Sequence, residues 1–133
     1  MIKVLYNSET IGTFTELTAT FRCGYSLEDL FEGEPQLAFV LEKGVLNAEA
    51  IWLLMTNQEL KSGRFTIQFT LEGKDYSINK ATFDSMTAVE NVGGGILLLG
   101  RQAPFSRIEG VGKLANFKDF PIEFIKHGFT IND

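Results

Sequence analysis

The chain has little of what small catalytic and metal sites are usually made from. It carries one cysteine, one histidine and one tryptophan in 133 residues. A single thiol, Cys23, excludes an intramolecular disulfide framework and any zinc site built on several cysteines. It reads as a small, half-buried hydrophobe. Any Ser-His-Asp or Cys-His arrangement would have to use His127, and Lys126-His127-Gly128 reads as a solvated turn, not the seat of a rigidly held base. Long apolar runs are also missing. The longest lies within Ala50 to Met55, against the ~20 residues that a membrane-crossing helix needs. Met1 to Tyr6 lacks the apolar stretch of a signal peptide. Positive charge is scarce too: 12 Lys and Arg face 17 Asp and Glu, for a net charge of −5. That balance argues against a protein that grips nucleic acid. A soluble protein of a reducing compartment, with no membrane partner, is expected.

What is present is a core. Hydrophobic residues make up 44% of the chain, and there are twelve phenylalanines against three tyrosines. Phenylalanine has no polar handle, so it suits interiors and subunit contacts better than sugar or base stacking. The length fits a single domain over residues 1–133.

Period-two patterns dominate. Ile2–Tyr6, a turn at Asn7-Ser8-Glu9-Thr10 and Ile11–Phe21 form a first hairpin, with Leu17, Ala19 and Phe21 on one face and Glu16, Thr18 and Thr20 on the other. Residues 24–35 form a projecting acidic loop, in which Ser26 to Asp29 cap one helical turn and Leu27, Leu30 and Phe31 are its apolar side. Gln36–Glu42 is a strand, turned by Lys43-Gly44. Asn47 caps a helix over about 48–61, stopped by Gly63, with Ile51, Leu54 and Met55 as its inner stripe. Trp52 and Leu53 widen the apolar arc, either by packing on the sheet or by touching a partner subunit. Phe65, Ile67, Phe69 and Leu71 alternate with Arg64, Thr66, Gln68 and Thr70 without an error. After a turn at residues 72–75 the chain returns through Tyr76 and Ile78, with a bulge expected at Asn79-Lys80. Short strands are expected at residues 87–91 and 96–100. Phe105 to Glu109 has no clear apolar face, and Ile122 and Phe124 share a strand face. The sum is mainly β: a small antiparallel β-barrel or sandwich of about seven or eight strands with one flanking α-helix.

The remaining motifs carry no chemistry. Gly110-Val111-Gly112-Lys113 resembles the end of a phosphate-binding loop, but Arg107 and Leu114 stand where a glycine and a hydroxyl are required, so it reads as a plain loop. Gly93-Gly94-Gly95 has no Lys-Ser/Thr sequel and reads as a turn. Glu28, Asp29, Glu32 and Glu34 do not have EF-hand spacing and read as a solvated acidic cluster. Neither an enzymatic activity nor a metal or other cofactor is expected.

The order of elements is more telling. An apolar helix (Ala50 to Met55) ends near Lys61-Ser62-Gly63, and the Phe65–Leu71 strand follows. The next strand closes in Ala81-Thr82-Phe83-Asp84-Ser85, and Pro104-Phe105 opens another. This stretch, from Asn47 to about Ile108, resembles the tail-tube proteins of bacteriophages and their relatives in contractile injection systems. The Gly93–Gly95 segment and the chain beyond Lys113 have no counterpart in that pattern. The resemblance implies a virion protein, made in the bacterial cytoplasm, whose barrels form hexameric rings. The rings stack into a tube that passes DNA without sequence-specific binding. It implies further that the loop after the first hairpin (Leu27, Glu28, Asp29, Leu30, Phe31, Glu32) contacts neighbouring subunits. Glu16, Thr18, Thr20, Thr66, Gln68 and Thr70 are then candidates for the lumen face, and Trp52 and Leu53 for a helix contact. Connector, terminator and baseplate subunits share the resemblance. A monomeric barrel binding an apolar small molecule is the alternative from another class.

Overall fold

The computed structural model describes residues 1–21, 35–89 and 102–132. Seven strands, β1 (Ile2–Tyr6), β2 (Glu9–Phe21), β3 (Gln36–Asn47), β4 (Phe65–Leu71), β5 (Lys74–Ala88), β6 (Gln102–Leu114) and β7 (Phe129–Asn132), are joined in one antiparallel sheet. Its order is β1-β4-β5-β6-β3-β2-β7, and a further β1–β2 ladder closes the first six into a barrel. Two helices accompany it, α1 (Ala48–Thr56) and the short α2 (Ile122–His127).

The two tightest hairpins follow from local chemistry. Asn7-Ser8 (φ 48° and 69°) and Glu72-Gly73 (φ 52° and 79°) are two-residue connections with both φ values positive. That hand of turn matches the twist of the strands it joins. The expected bulge at Asn79-Lys80 is present: Lys80 has φ 52°, and the β5–β6 register shifts between Asn79 and Thr82.

The barrel is filled by its own side chains. Phe14, Phe39, Phe65 and Phe83 are at most 1% exposed. Phe65 and Phe83 stack at 4.1 Å, and Phe39 meets Phe83 edge-on. Among the described residues no polar or charged side chain is buried. The inward positions Gly110 and Gly112 of β6 make this packing possible. A Cβ on Gly110 would meet the Thr82 carbonyl oxygen and lie 2.7 Å from Phe39 Cζ, and one on Gly112 would meet Ile78 Cγ2. These glycines therefore sit inside a strand and give room to their neighbours; they are not the loop that the sequence pattern pointed to.

Each end of the barrel has its own cork. At the end where β3 finishes, the Asn47 side chain accepts a hydrogen bond from the Ala50 N–H at 2.9 Å and starts α1. Ala48, Ile51 and Leu54 then point inward. Met55, expected in that stripe, is 49% exposed. The α-helix also stops at Thr56, short of residue 61. Gln58 turns left-handed (φ 58°), and Glu59–Lys61 form a separate 3-10 turn. Leu60 still packs on the core. At the opposite end Phe21, Phe69, Tyr76, Phe120, Phe124 and Phe129 form one aromatic cluster, with Tyr76 and Phe120 edge-on at 4.9 Å and Phe69 and Phe129 stacked at 5.4 Å. The Tyr76 hydroxyl donates to the Asp119 carbonyl at 3.2 Å.

Three further expectations are corrected. Lys43-Gly44 does not turn the chain. Lys43 takes φ 57° within β3, which runs on to Asn47, and Gly44 leaves the space into which the Phe14 ring packs. Ile122 and Phe124 share a helix, not a strand, because Pro121 opens α2 and Phe124 turns back onto Phe120. Phe105 to Glu109 lies within the long strand β6, in line with a strand opening at Pro104-Phe105, and it lacks a regular apolar face because the inward positions step from Phe105 to Ile108. The β5–β6 register shifts there, between Thr87 and Ala88. The strand expected at 87–91 is the end of β5, which reaches Ala88; the one expected at 96–100 lies outside the described residues.

Candidate functional site

The ladders define a continuous outward face over β5, β6, β3, β2 and β7. Its register rows can be followed across all five strands. One runs Ser85, Glu109, Val40, Thr18, Thr130; the next runs Thr87, Arg107, Glu42, Glu16, Asn132. A third joins Thr82, Val111, Ala38 and Thr20. Short and β-branched side chains dominate these rows, as alternation requires once Leu17, Ala19, Phe39, Leu41 and Ile108 have turned inward. The Thr18 and Thr130 hydroxyl oxygens lie 3.4 Å apart.

Two ion pairs lie on this wall, and Glu42 and Lys113 stand on it outside them. Arg107 donates from Nε and Nη2 to Glu109 Oε1 at 2.9 and 2.6 Å. Those hydrogen bonds and the charge of Glu109, with that of Glu42 nearby, hold the Arg107 guanidinium above its ordinary value, although hydration is lost in the process. Lys43 Nζ lies 3.1 Å from Glu16 Oε1, and the Thr15 hydroxyl donates to the Lys43 carbonyl at 3.0 Å. Such exposed pairs add little stability, since the Lys43 side chain is 72% exposed and that of Arg107 49%.

The candidate lumen residues divide into two groups. Glu16, Thr18 and Thr20 stand on this wall. Thr66, Gln68 and Thr70 stand on β4, which pairs with β5 at one edge and with β1 at the other, so they adjoin the wall beside the first half of β5. Gln68 and Thr70 line an open polar cleft of about 360 Å³ with Lys3, Asp75, Ser77 and Asn116. Within it the Thr70 hydroxyl donates to Asp75 Oδ1 at 2.7 Å. Trp52 and Leu53 lie side by side on the outside of α1, each 47% exposed. Leu27, Glu28, Asp29, Leu30, Phe31 and Glu32 lie outside the described residues, as do Cys23 and Gly93–Gly95.

No family model, curated protein or solved structure matches this chain. The site therefore has to be judged on its chemistry. Among the described residues no three His, Cys, Asp or Glu side chains are grouped to hold a metal ion, and no helix is long and apolar enough to cross a membrane. His127 lies at the end of α2 beside Glu123, at 3.7 Å, with both side chains about three-quarters exposed. The sequence missed Thr82, Ser85, Thr87 and Thr130 as members of the wall. The alternation of Ala81 and Phe83 with Thr82 was the available signal for the first of them.

Proposed function

We propose that the protein is a structural subunit of a phage or phage-like tail tube, assembling into rings that stack around a channel for DNA. The observation that carries this reading is the five-strand wall. Its inner face is sealed by core, and its outer face bears short polar side chains. Two of its cations stand beside carboxylates, Arg107 with Glu109 and Lys43 with Glu16, which leaves Lys113 at its edge outside these pairs and little positive charge to hold a polyanion by counterion release. The net charge of −5 adds repulsion of the same sign.

A monomeric barrel holding an apolar molecule is the weaker alternative. The axis is taken up by Phe14, Phe39, Phe65 and Phe83, and both ends are covered. Negative-stain electron microscopy and light scattering on concentrated protein test the proposal. Rings of uniform diameter are expected; a monomer at every concentration that shows saturable binding of a fluorescent fatty acid would sink it.

A further inference from the structure

Strand β7 is surplus to barrel closure. Six strands close through the β1–β2 ladder, in which Ile2 faces Phe14 and Tyr6 faces Glu9. Strand β7 takes the same edge of β2 further along, from Asn132 opposite Glu16 to Phe129 opposite Ala19. The two strands lie end to end in one strand position. Among the described residues β2 is the only backbone partner of β7.

The position that β7 fills cannot be left empty cheaply. Phe129 and Ile131 are 6% and 8% exposed, and Phe129 contacts Phe69, Phe120 and Phe21. Without a strand there, that aromatic surface would face water. The segment carrying β7 is held to the barrel by its aromatic side chains, with Phe120 buried and Phe117 and Phe124 packed on the core. Its helix α2 has no buried residue and no side-chain cap. Left-handed Asn116 (φ 55°) and Gly128 (φ 76°) flank it and give the chain two places to turn.

We propose that β7 is a donor strand exchanged between copies. In the assembly, residues 115–132 of one copy lie along the Glu16–Ala19 edge of β2 in the next. This rests on the assembly reading above and names the contact that would link subunits. The occupant is a second copy because the slot fits this sequence: inward Phe129 and Ile131, outward Thr130 against Thr18. The same contacts form within a chain or between chains, so concentration and the geometry of the arm decide between them. Passed head to tail, such an arm gives a ring or an open chain, not a closed pair.

The test uses full-length protein carrying Cys23→Ser, which removes the only thiol. A Thr18→Cys chain is mixed with a Thr130→Cys chain at assembling concentration, oxidised, and analysed by non-reducing electrophoresis and peptide mass spectrometry. A disulfide between residues 18 and 130 of different chains is expected, at least roughly tenfold above a Thr87→Cys and Thr130→Cys mixture, since only register neighbours share a high effective concentration. A Thr18→Cys/Thr130→Cys double variant oxidised as a dilute monomer, and shown by electrophoresis to carry no inter-chain link, holds the arm within its own chain and should assemble poorly until reduced. Rings without the inter-chain link, or normal rings from the locked variant, overturn the exchange and leave the ring reading standing. Links without rings support the exchange and count against the ring reading. Absence of both overturns both.

Discussion

Gly110→Ala tests the packing argument most directly. Gly110 is an inward residue of β6 with ordinary extended backbone, so alanine meets no conformational penalty there and gains about 0.5–1 kcal/mol from restricting the unfolded chain. Against this stands the new methyl, placed on the Thr82 carbonyl and 2.7 Å from Phe39 Cζ. Carbon atoms rest at about 3.5–4.0 Å, so the Phe39 ring must retreat by about 1 Å. It has little room to do so, because it is packed edge-on against Phe83, which stacks on Phe65. The Thr82 oxygen belongs to the backbone of β5, so that strand must move as well. Overpacking of this kind costs about 1–3 kcal/mol in an ordinary core, and the backbone clash puts Gly110 at the top of that range. The expected net loss is about 2–2.5 kcal/mol, or roughly 7–9 °C in Tm for a domain of this size. Urea unfolding followed by circular dichroism should show a lower midpoint with an unchanged slope. Gly73→Ala is the control. Nothing lies within 4 Å of its Cβ position, but φ is +79°, so it should lose only about 1 kcal/mol, for conformational reasons. Adding Phe39→Leu to Gly110→Ala should recover part of the loss, with a coupling of about 1 kcal/mol or more. A Gly110→Ala protein within about 0.5 kcal/mol of the parent, or no coupling to Phe39, would refute the reasoning.

Other expectations concern the two corks and the outer surface. Phe120→Ala should cost about 3–5 kcal/mol and abolish most of the near-ultraviolet circular dichroism of the aromatic cluster. Asn47→Ala removes the acceptor for the Ala50 N–H and should cost about 1 kcal/mol, seen as a lower urea midpoint. Trp52→Ser together with Leu53→Ser should leave stability within about 1 kcal/mol, since both side chains are half exposed. The same pair should reduce ring yield in negative stain if the helix touches a neighbour; unchanged yield removes α1 from the interface.

Much of the barrel was legible because its strands obey a simple period. Arg64 to Leu71 alternates without fault, and every apolar position in it turns inward. Asn47 announced its helix by the usual capping chemistry. β6 was legible only at its opening, Pro104-Phe105, for two physical reasons. Its inward face includes Gly110 and Gly112, which carry no hydrophobic signal, and the step from Phe105 to Ile108 breaks the alternation. The C-terminal phenylalanines were visible as core, but not as a cork, because their partners Phe69 and Tyr76 lie more than forty residues earlier. The polar wall was half visible for a similar reason. Thr18 and Thr20 could be assigned to an outer face, but only the register across β3, β6 and β5 shows that Ser85 and Thr87 continue it.

The end-to-end placement of β7 and β1 also separates the fold from the order in which the chain is written. Asn132 faces Glu16 and Ile2 faces Phe14, so the two lie two register positions apart on β2. Joining them by a short linker would convert two strands into one continuous strand along that edge. The chain could then be opened at Glu72-Gly73, an exposed two-residue turn with free space around it. Every ladder would survive such a permutation. What defines this barrel is the cyclic sequence of its strands, and the fold has no preferred first residue.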